Sequence, residues 1–530
     1  MIYNEGIDME TKPLYDFSGR VRLNAAKYEY LLAALLLLLG IALRFALLGD
    51  LPAGLNQDEA SSGYEAWSLY NYGIDRNGYS WPVLLRSWGS GQNALYTYLS
   101  IPFVAVMGLT ELSLRLPSAL IGSVTMVLFW ALARRCRGKS FGLTALFFLA
   151  VNPWHIMISR WALESNLLPF FLLAGIYFTS LARDKSWAFI PAGLSFALSL
   201  YAYGTAFIFV PVFLTGALVW LIRCRAVKNR WFAWGLMIFA VAAFPVALCQ
   251  IRNALGLDSM TMGIFSLPRL SEGRQIATTI LGGGGFGQAL NNYKDFLRLL
   301  FTQSDMLPYN AMDGFGLYYF FGLPLAVVGV IYSLAKRRDT PGEYPMLIAL
   351  AVSIICSCLI SININRINMA FLPVIYFSGL GLHVILCKAG KLWPVFICCI
   401  LLCCGLFFTS YYNEFYVRGS SLYYPGLGEA IQYADSQEAD SIFITNYVQQ
   451  PYIFALFYTE TPPEEYINTA KLINPGGAFE SVGSFGRFGF YEDAFISQGE
   501  GGFDIYILHE SQSRGFRVVQ QFGEYAVCVR

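Results

Sequence analysis

Charge is what this chain has least of. Asp, Glu, Lys and Arg make up 13% of its 530 residues, about half the share of an ordinary soluble domain. Histidine is scarcer still, with three residues, none at metal-ligand spacing from a cysteine or a second histidine. The eleven cysteines fall mostly inside apolar runs, as at Cys356, Cys358, Cys398, Cys399, Cys403 and Cys404, which is no disulfide framework. Opposite charges nearly cancel at a formal +1, so the balance points to neither nucleic acid nor an acidic partner. The one glycine-rich run, 282–285, follows no strand and lacks the lysine of a phosphate-cradling loop. Internal repeats and low-complexity tracts are missing too.

What remains is apolar. Hydrophobic residues reach 56% and the mean hydropathy is +0.49. Repeated apolar runs of roughly 18 residues or more identify a polytopic membrane protein. The first run, 30–48, follows Lys12, Arg20, Arg22 and Lys27, so the amino terminus is expected on the cytoplasmic side. No small-residue cleavage site follows it, and it reads as a retained helix, not a signal peptide. The stretch 95–108 is roughly 14 residues long, short for a crossing, and is assigned to the membrane surface. Runs at 114–133, 141–158, 167–181, 187–203, 206–222, 231–248, 317–334, 346–360, 367–386 and 393–409 then alternate. Every strongly basic loop, Arg134–Lys139 first among them, lands on one side. The expectation is a mainly α fold with about eleven spans, amino terminus inside and carboxyl terminus outside.

Three domains follow from this layout: a cytoplasmic segment 1–29, a membrane domain 30–412 and an extracytoplasmic tail 413–530. Two long outer loops, 49–113 and 250–316, interrupt the membrane domain. The second contains an amphipathic stretch at 289–301. The tail is polar enough for a small water-soluble α/β domain. It shows a helix at 428–439 and strands at 441–445, 504–509, 516–521 and 525–529, the last two flanking Phe522-Gly523 as a hairpin.

Ionisable groups at the outer boundary are the candidates for function, because such residues are expensive to keep there. Asp58 and Glu59 lie in the first outer loop with Arg86. Arg160 and Glu164 lie in the next, and Arg366 stands alone on the side that usually avoids positive charge. A carboxylate there can take a proton from an incoming hydroxyl while arginines hold a departing lipid phosphate. Each has a plainer role open to it. Asp58 can cap the helix suggested by 60–70. Adjacent helical positions point about 100° apart, so Asp58 and Glu59 do not serve one atom together. Arg160 and Glu164 have the spacing of a helical salt bridge. His155 in Asn152-Pro153-Trp154-His155 fits a packed interfacial residue, and Trp67, Tyr70, Tyr72, Trp81 and Trp88 fit an aromatic belt.

The segment from Asp58 to Tyr64, with Leu84-Leu85-Arg86-Ser87-Trp88-Gly89 and Leu95-Tyr96, resembles the first outer loop of bacterial glycosyltransferase family 39. That family has the GT-C fold and includes protein O-mannosyltransferases and aminoarabinose transferases. Arg115-Leu116-Pro117-Ser118-Ala119, Asn152 to Ile156, Ser159 to Asn166, and Asn365-Arg366-Ile367-Asn368 with Pro373 resemble its later spans and second outer loop. The resemblance implies transfer of a sugar from a polyprenyl-phosphate carrier to an acceptor outside the cytoplasmic membrane, with inversion. It implies Asp58 as catalytic base, with Glu59 beside it, and Glu164 as the second-loop acid. Where relatives carry Lys-Pro-Pro, this chain has Gln92-Asn93-Ala94. Carrier contact is therefore expected from Gln92, Arg86, Arg160, Arg366 or His155. No metal ligand set is indicated, although some GT-C enzymes use a divalent cation, and the cofactor stays open. Two other readings are a transporter or flippase, which would place polar groups near the midplane, and a membrane scaffold. Within the enzyme reading, the second choice is an oligosaccharide ligase or polymerase.

Overall fold

The computed structural model describes residues 25–88, 90–227, 229–270, 279, 280, 283, 285–414, 422–476, 480–491 and 502–530. Lys12, Arg20, Arg22, Lys228 and two of the four residues of the 282–285 glycine run lie outside the described residues, as does most of the 1–29 segment.

The membrane domain opens with α1 (Ala25–Phe45), whose run of leucines and alanines has one interior glycine and no proline. Helix α2 (Gln57–Tyr72) is started by Asn56, whose side chain accepts from the Asp58 and Glu59 backbone N–H groups, and stopped by Gly73 at φ 72°. The loop between α1 and α4 continues through an antiparallel hairpin, β1 (Leu84–Ser87) and β2 (Ser90–Asn93), with Arg86 opposite Gly91. Helix α3 (Leu95–Met107) follows and packs against α2 and α4.

Helix α4 spans Glu111–Ala150, 40 residues. Straight, it would be about 60 Å long, twice a hydrocarbon layer of about 30 Å. It bends at Arg137 and at Gly138, where φ is 83°. Glycine has no Cβ to oppose that geometry, so the helix changes direction there. The remaining helices are α5 (Pro153–Ile158), α6 (Leu168–Ala182), α7 (Phe189–Ala202), α8 (Ala206–Arg223), α9 (Arg230–Ala254), α10 (Phe286–Thr302), α11 (Tyr319–Ala335), α12 (Tyr344–Leu359), α13 (Phe371–Lys388) and α14 (Trp393–Glu414). Among the described residues, eight helices are long and apolar enough to cross a membrane, the bent α4 counting once, and three shorter apolar ones accompany them.

The basic cluster and the Asp58-Glu59 pair sit at opposite ends of α1. At its start, buried Glu29 pairs with Arg134 and, at 3.4 Å, with Lys139 at the α4 bend. Arg137 there holds buried Glu343 at 2.6 Å. Past the other end of α1 the chain enters the loop that carries Asp58.

The tail forms a seven-stranded mixed sheet in the order β10-β11-β9-β5-β8-β7-β6. Its strands are β5 (Ile442–Ile444), β6 (Lys471–Leu472), β7 (Val482–Phe485), β8 (Phe488–Gly489), β9 (Ile505–His509), β10 (Arg517–Phe522) and β11 (Tyr525–Val529). The expected hairpin is present, with Phe522 paired to Tyr525. The expected helix is shorter, α15 (Leu427–Asp435). Helices α16 (Pro451–Thr459) and α17 (Pro463–Thr469), and the three short strands β6 to β8, had no clear sequence pattern. The tail does not stand apart from the membrane domain. Helix α16 packs on α2, and the Tyr64 hydroxyl donates to the Thr461 carbonyl at 2.6 Å. One hydrophobic core runs through both parts.

Candidate functional site

The site gathers where four loops meet beneath the tail. Asp58 is the second residue of α2 and is half-buried. A carboxylate is favoured in a helix's first turn, where unsatisfied N–H groups concentrate positive potential. The helix is capped by Asn56, not by Asp58 as the plainer reading allowed, so Asp58's carboxylate is not committed to that task. Its charge, with that of Asp305, acts on the Tyr309 phenol, which burial and these two carboxylates push up to about 12. Tyr309 lies against Trp161, with ring centroids 4.9 Å apart, and Trp161 meets Tyr423 from the tail.

Glu59 faces the other way. It is wholly buried, and its carboxylate takes Arg115 Nε at 3.0 Å and Nη2 at 3.1 Å. It also accepts the Ala162 N–H at 3.0 Å and the Asn56 N–H at 3.3 Å. Both oxygens are engaged by protein, which argues against the expected direct role in chemistry. Glu59 instead fixes the start of α2 to α4 and to the loop carrying Glu164. Arg115 completes the clamp by donating to the Pro52 and Gly54 carbonyls at 2.7 and 2.6 Å.

Glu164 begins a short 3-10 turn, Glu164–Leu167, is 8% exposed and accepts the backbone N–H of Asn93 at the end of β2. It forms no salt bridge with Arg160, since the intervening residues are not helical. Arg160 corrects a second expectation. All five of its N–H donors are engaged: Nε with the Tyr411 hydroxyl, Nη1 with the Leu43 and Arg44 carbonyls, and Nη2 with those of Leu47 and Leu51. A guanidinium has five such donors, so Arg160 closes the end of α1 and has none left for a phosphate.

Gln92 and His155 are likewise engaged by protein. The Gln92 amide oxygen accepts from Ser87 Oγ at 2.7 Å and Ser61 Oγ at 3.1 Å, and its nitrogen donates to Ser62 Oγ. Behind them stands Arg76, buried and paired with Glu65 at 3.0 Å. Arg76 donates to Ser61 and Ser87 at 2.8 Å each. This knot locks β2 in place, and the next residue after Gln92 supplies the N–H that holds Glu164. His155 is buried, and its Nδ1 accepts from Arg44 at 2.6 Å. Arg86 pairs with Glu480 of the tail, joining the hairpin β1-β2 to the tail.

Arg366 differs from the other arginines. Its Nη1 donates to Ser361 Oγ at 2.7 Å, and its Nε and Nη2 have no partner among the described residues. The loop that carries it is tied to the rest of the site at both ends. The Ile364 N–H donates to Asp305 at 3.0 Å, and Asn368 Nδ2 donates to the Ser165 carbonyl at 2.7 Å. Asp58, Glu164 and Arg366 thus stand on loops that touch one another, directly or through Asp305 and Tyr309. Among the described residues, no three histidine, cysteine or acidic side chains converge as a metal site would require.

Residues 94–248 match the family model of dolichyl-phosphate-mannose-protein mannosyltransferase. Comparison with curated proteins gives no match. ArnT from Cupriavidus metallidurans bound to undecaprenyl phosphate superposes with a TM-score of 0.58 at 12% identity, covering 95% of this chain and 98% of that one. The apo state of the same protein gives a TM-score of 0.55 at 12% identity with the same coverage. Over residues 94–248 the chain is thus similar to that mannosyltransferase family, and over nearly its whole length it shares the membrane-protein fold of ArnT.

Proposed function

We propose that the protein moves one sugar from a polyprenyl-phosphate carrier to a hydroxyl of an acceptor on the outer face of the cytoplasmic membrane. In this reading Asp58 takes the proton of the acceptor hydroxyl. The oxygen attacks the anomeric carbon, the bond from that carbon to the phosphate oxygen breaks, and the configuration inverts. Polyprenyl phosphate leaves with the bonding electrons. Arg366 supplies charge for the leaving phosphate, a task suited to a guanidinium that grips two oxygens at once. Glu164 holds the end of β2 in register through the Asn93 N–H.

The observation that carries this reading is the contrast among the candidates. Glu59 and Arg160 are fully engaged by protein, whereas Arg366 keeps donors to offer and Asp58 sits half-buried at a helix start. Reactions of this kind need charge held in advance where it develops, and a lipid carrier brings its head group to the membrane boundary. A flippase would move such a lipid without cleaving it.

The test is incubation of purified protein in lipid with a panel of polyprenyl-phosphate sugars, following donor and free polyprenyl phosphate. Consumption of one donor with release of the carrier phosphate is expected, slowed by Glu164→Gln and by Arg366→Ala. Translocation of an intact donor, with no cleavage in any member of the panel, would overturn the proposal in favour of a flippase.

A further inference from the structure

The second outer loop carries apolar surface that nothing among the described residues covers. Helix α10 shows three faces at helical spacing. Asn292, Phe296 and Leu299 are buried, and Asn292 Nδ2 donates to the Cys358 carbonyl of α12. A second stripe, Phe286, Leu290, Leu297 and Phe301, recurs at intervals of four, seven and four and is exposed, Phe286 at 86% and Phe301 at 74%. The third face, Asn291, Asp295, Arg298 and Thr302, is polar and exposed. Met306, just past the helix, is 85% exposed.

The other arm of the loop repeats the pattern in a different element. After α9 the chain forms a two-stranded ribbon, β3 (Met260–Met262) and β4 (Phe265–Leu267), turning at Gly263 with φ 63°. Its tip residue Ile264 is 67% exposed, and Leu255, Leu257, Met260 and Phe265 are exposed beside it. Arg269 pairs with Asp258 at the base of the ribbon.

We propose that this loop is seated in the phospholipid leaflet, with α10 lying in the membrane plane and the ribbon tip inserted as a wedge. Three observations choose lipid over a protein partner. The apolar stripe is continuous with the lipid-facing side of the bundle: Val241, Phe244, Ile251 and Leu255 lead down α9 into the ribbon, and Ile354 and Ile355 are exposed on the α12 helix that α10 rests against. Lys294, Asp295 and Arg298 make α10 too polar to cross hydrocarbon, while its large separation of apolar and charged faces is the mark of an interfacial helix. Lys294 flanks the apolar stripe, where its stem can lie along acyl chains and its ammonium can meet phosphate head groups.

The same loop reaches the cleft. The ribbon touches the first outer loop, where the Val83 N–H donates to the Ser266 carbonyl at 3.0 Å, and Thr279 bridges to Ile360 beside the Arg366 loop. Leaflet contact therefore holds two of the site's loops at the membrane boundary.

The experiment places p-benzoylphenylalanine at Phe286, Phe301 or Ile264, and at Asn291 and Arg298 as polar-face controls, in the full chain reconstituted in nanodiscs of phosphatidylcholine and phosphatidylglycerol. After irradiation, mass spectrometry reads phospholipid adducts, so the result does not depend on whether the protein transfers sugar. About fivefold or more lipid adduct at the three apolar positions than at the two controls is expected of an in-plane amphipathic element. Equal labelling at all five positions, or adducts to protein alone, would overturn it.

Discussion

Replacing Glu59 tests how the site is held together. The structure gives that carboxylate four contacts: two N–H groups of Arg115 and two backbone N–H groups, all within 3.0–3.3 Å, with both Glu59 and Arg115 side chains 0% exposed. Removing one partner of a buried pair leaves the other charge uncompensated and costs about 3–5 kcal/mol. Arg115 retains the carbonyls of Pro52 and Gly54, so Glu59→Ala belongs near the lower end, about 3 kcal/mol. Glu59→Gln keeps one oxygen for Arg115 and Ala162 and loses the charge, and should cost about 1–2 kcal/mol. Thermal unfolding in detergent should then rank parent above Gln above Ala, separated by a few degrees each. Turnover should fall further than stability does. Asp58 is the neighbour of Glu59, and Ala162 is two residues from Glu164, so both move together, and a shift of about 1 Å at a reacting group costs on the order of 100-fold. The double variant Glu59→Leu, Arg115→Leu should recover stability but not activity, because apolar packing can replace a buried pair without restoring its geometry. A Glu59→Ala protein that melts and turns over with the parent would refute the clamp.

Gln92→Ala removes the amide that ties Ser61, Ser62 and Ser87 together. It should lower kcat about tenfold or more with little change in donor KM, as expected when a group acts only on the transition-state arrangement. If the knot acts through Glu164, the loss in Gln92→Ala should not add to the loss in Glu164→Gln; full additivity would separate the two. Burial, with the charge of Glu65 behind it, pushes the Asp75 carboxyl up to about 8. The folded state therefore binds a proton that the unfolded chain has released above about pH 4, and this group lowers stability progressively as pH rises toward 8. Asp75→Asn keeps an oxygen for the Asn77 and Tyr79 N–H groups. It should melt like the parent near pH 5 and higher than the parent at pH 8, and equal melting at pH 8 would speak against a buried, protonated Asp75.

Much of the fold was legible because hydrocarbon imposes a length and a polarity. Apolar runs between 30 and 409 reappear as helices, and even the break near Gly138 falls at the basic residues that separated two runs. The site was harder to read, for a reason that Glu59 illustrates. Asp58 and Glu59 are neighbours of the same chemistry, and which one is buried and which half-exposed is decided by Arg115, 56 residues from Glu59. Arg160 and Glu164 suggested a pair by spacing alone, but the chain between them is not helical and each finds a distant partner. Arg44, Arg76 and Arg115 went unremarked as functional groups. For two of them a signal existed: Arg44 and Arg115 are single cations in or beside apolar runs, the same feature that drew attention to Arg366. The docking of the tail on α2 rests on Tyr64, Phe457 and Thr461, and no local pattern announces such contacts.

The most direct measurement is transfer by Asp58→Asn, made alongside its melting temperature and its binding of donor. An amide of nearly the same shape cannot accept the acceptor's proton, and losing a general base costs about 10²–10⁴-fold. Turnover should fall by that amount while unfolding and donor affinity stay at parent values. Parent-level turnover by the folded Asp58→Asn variant would contradict the account at its centre.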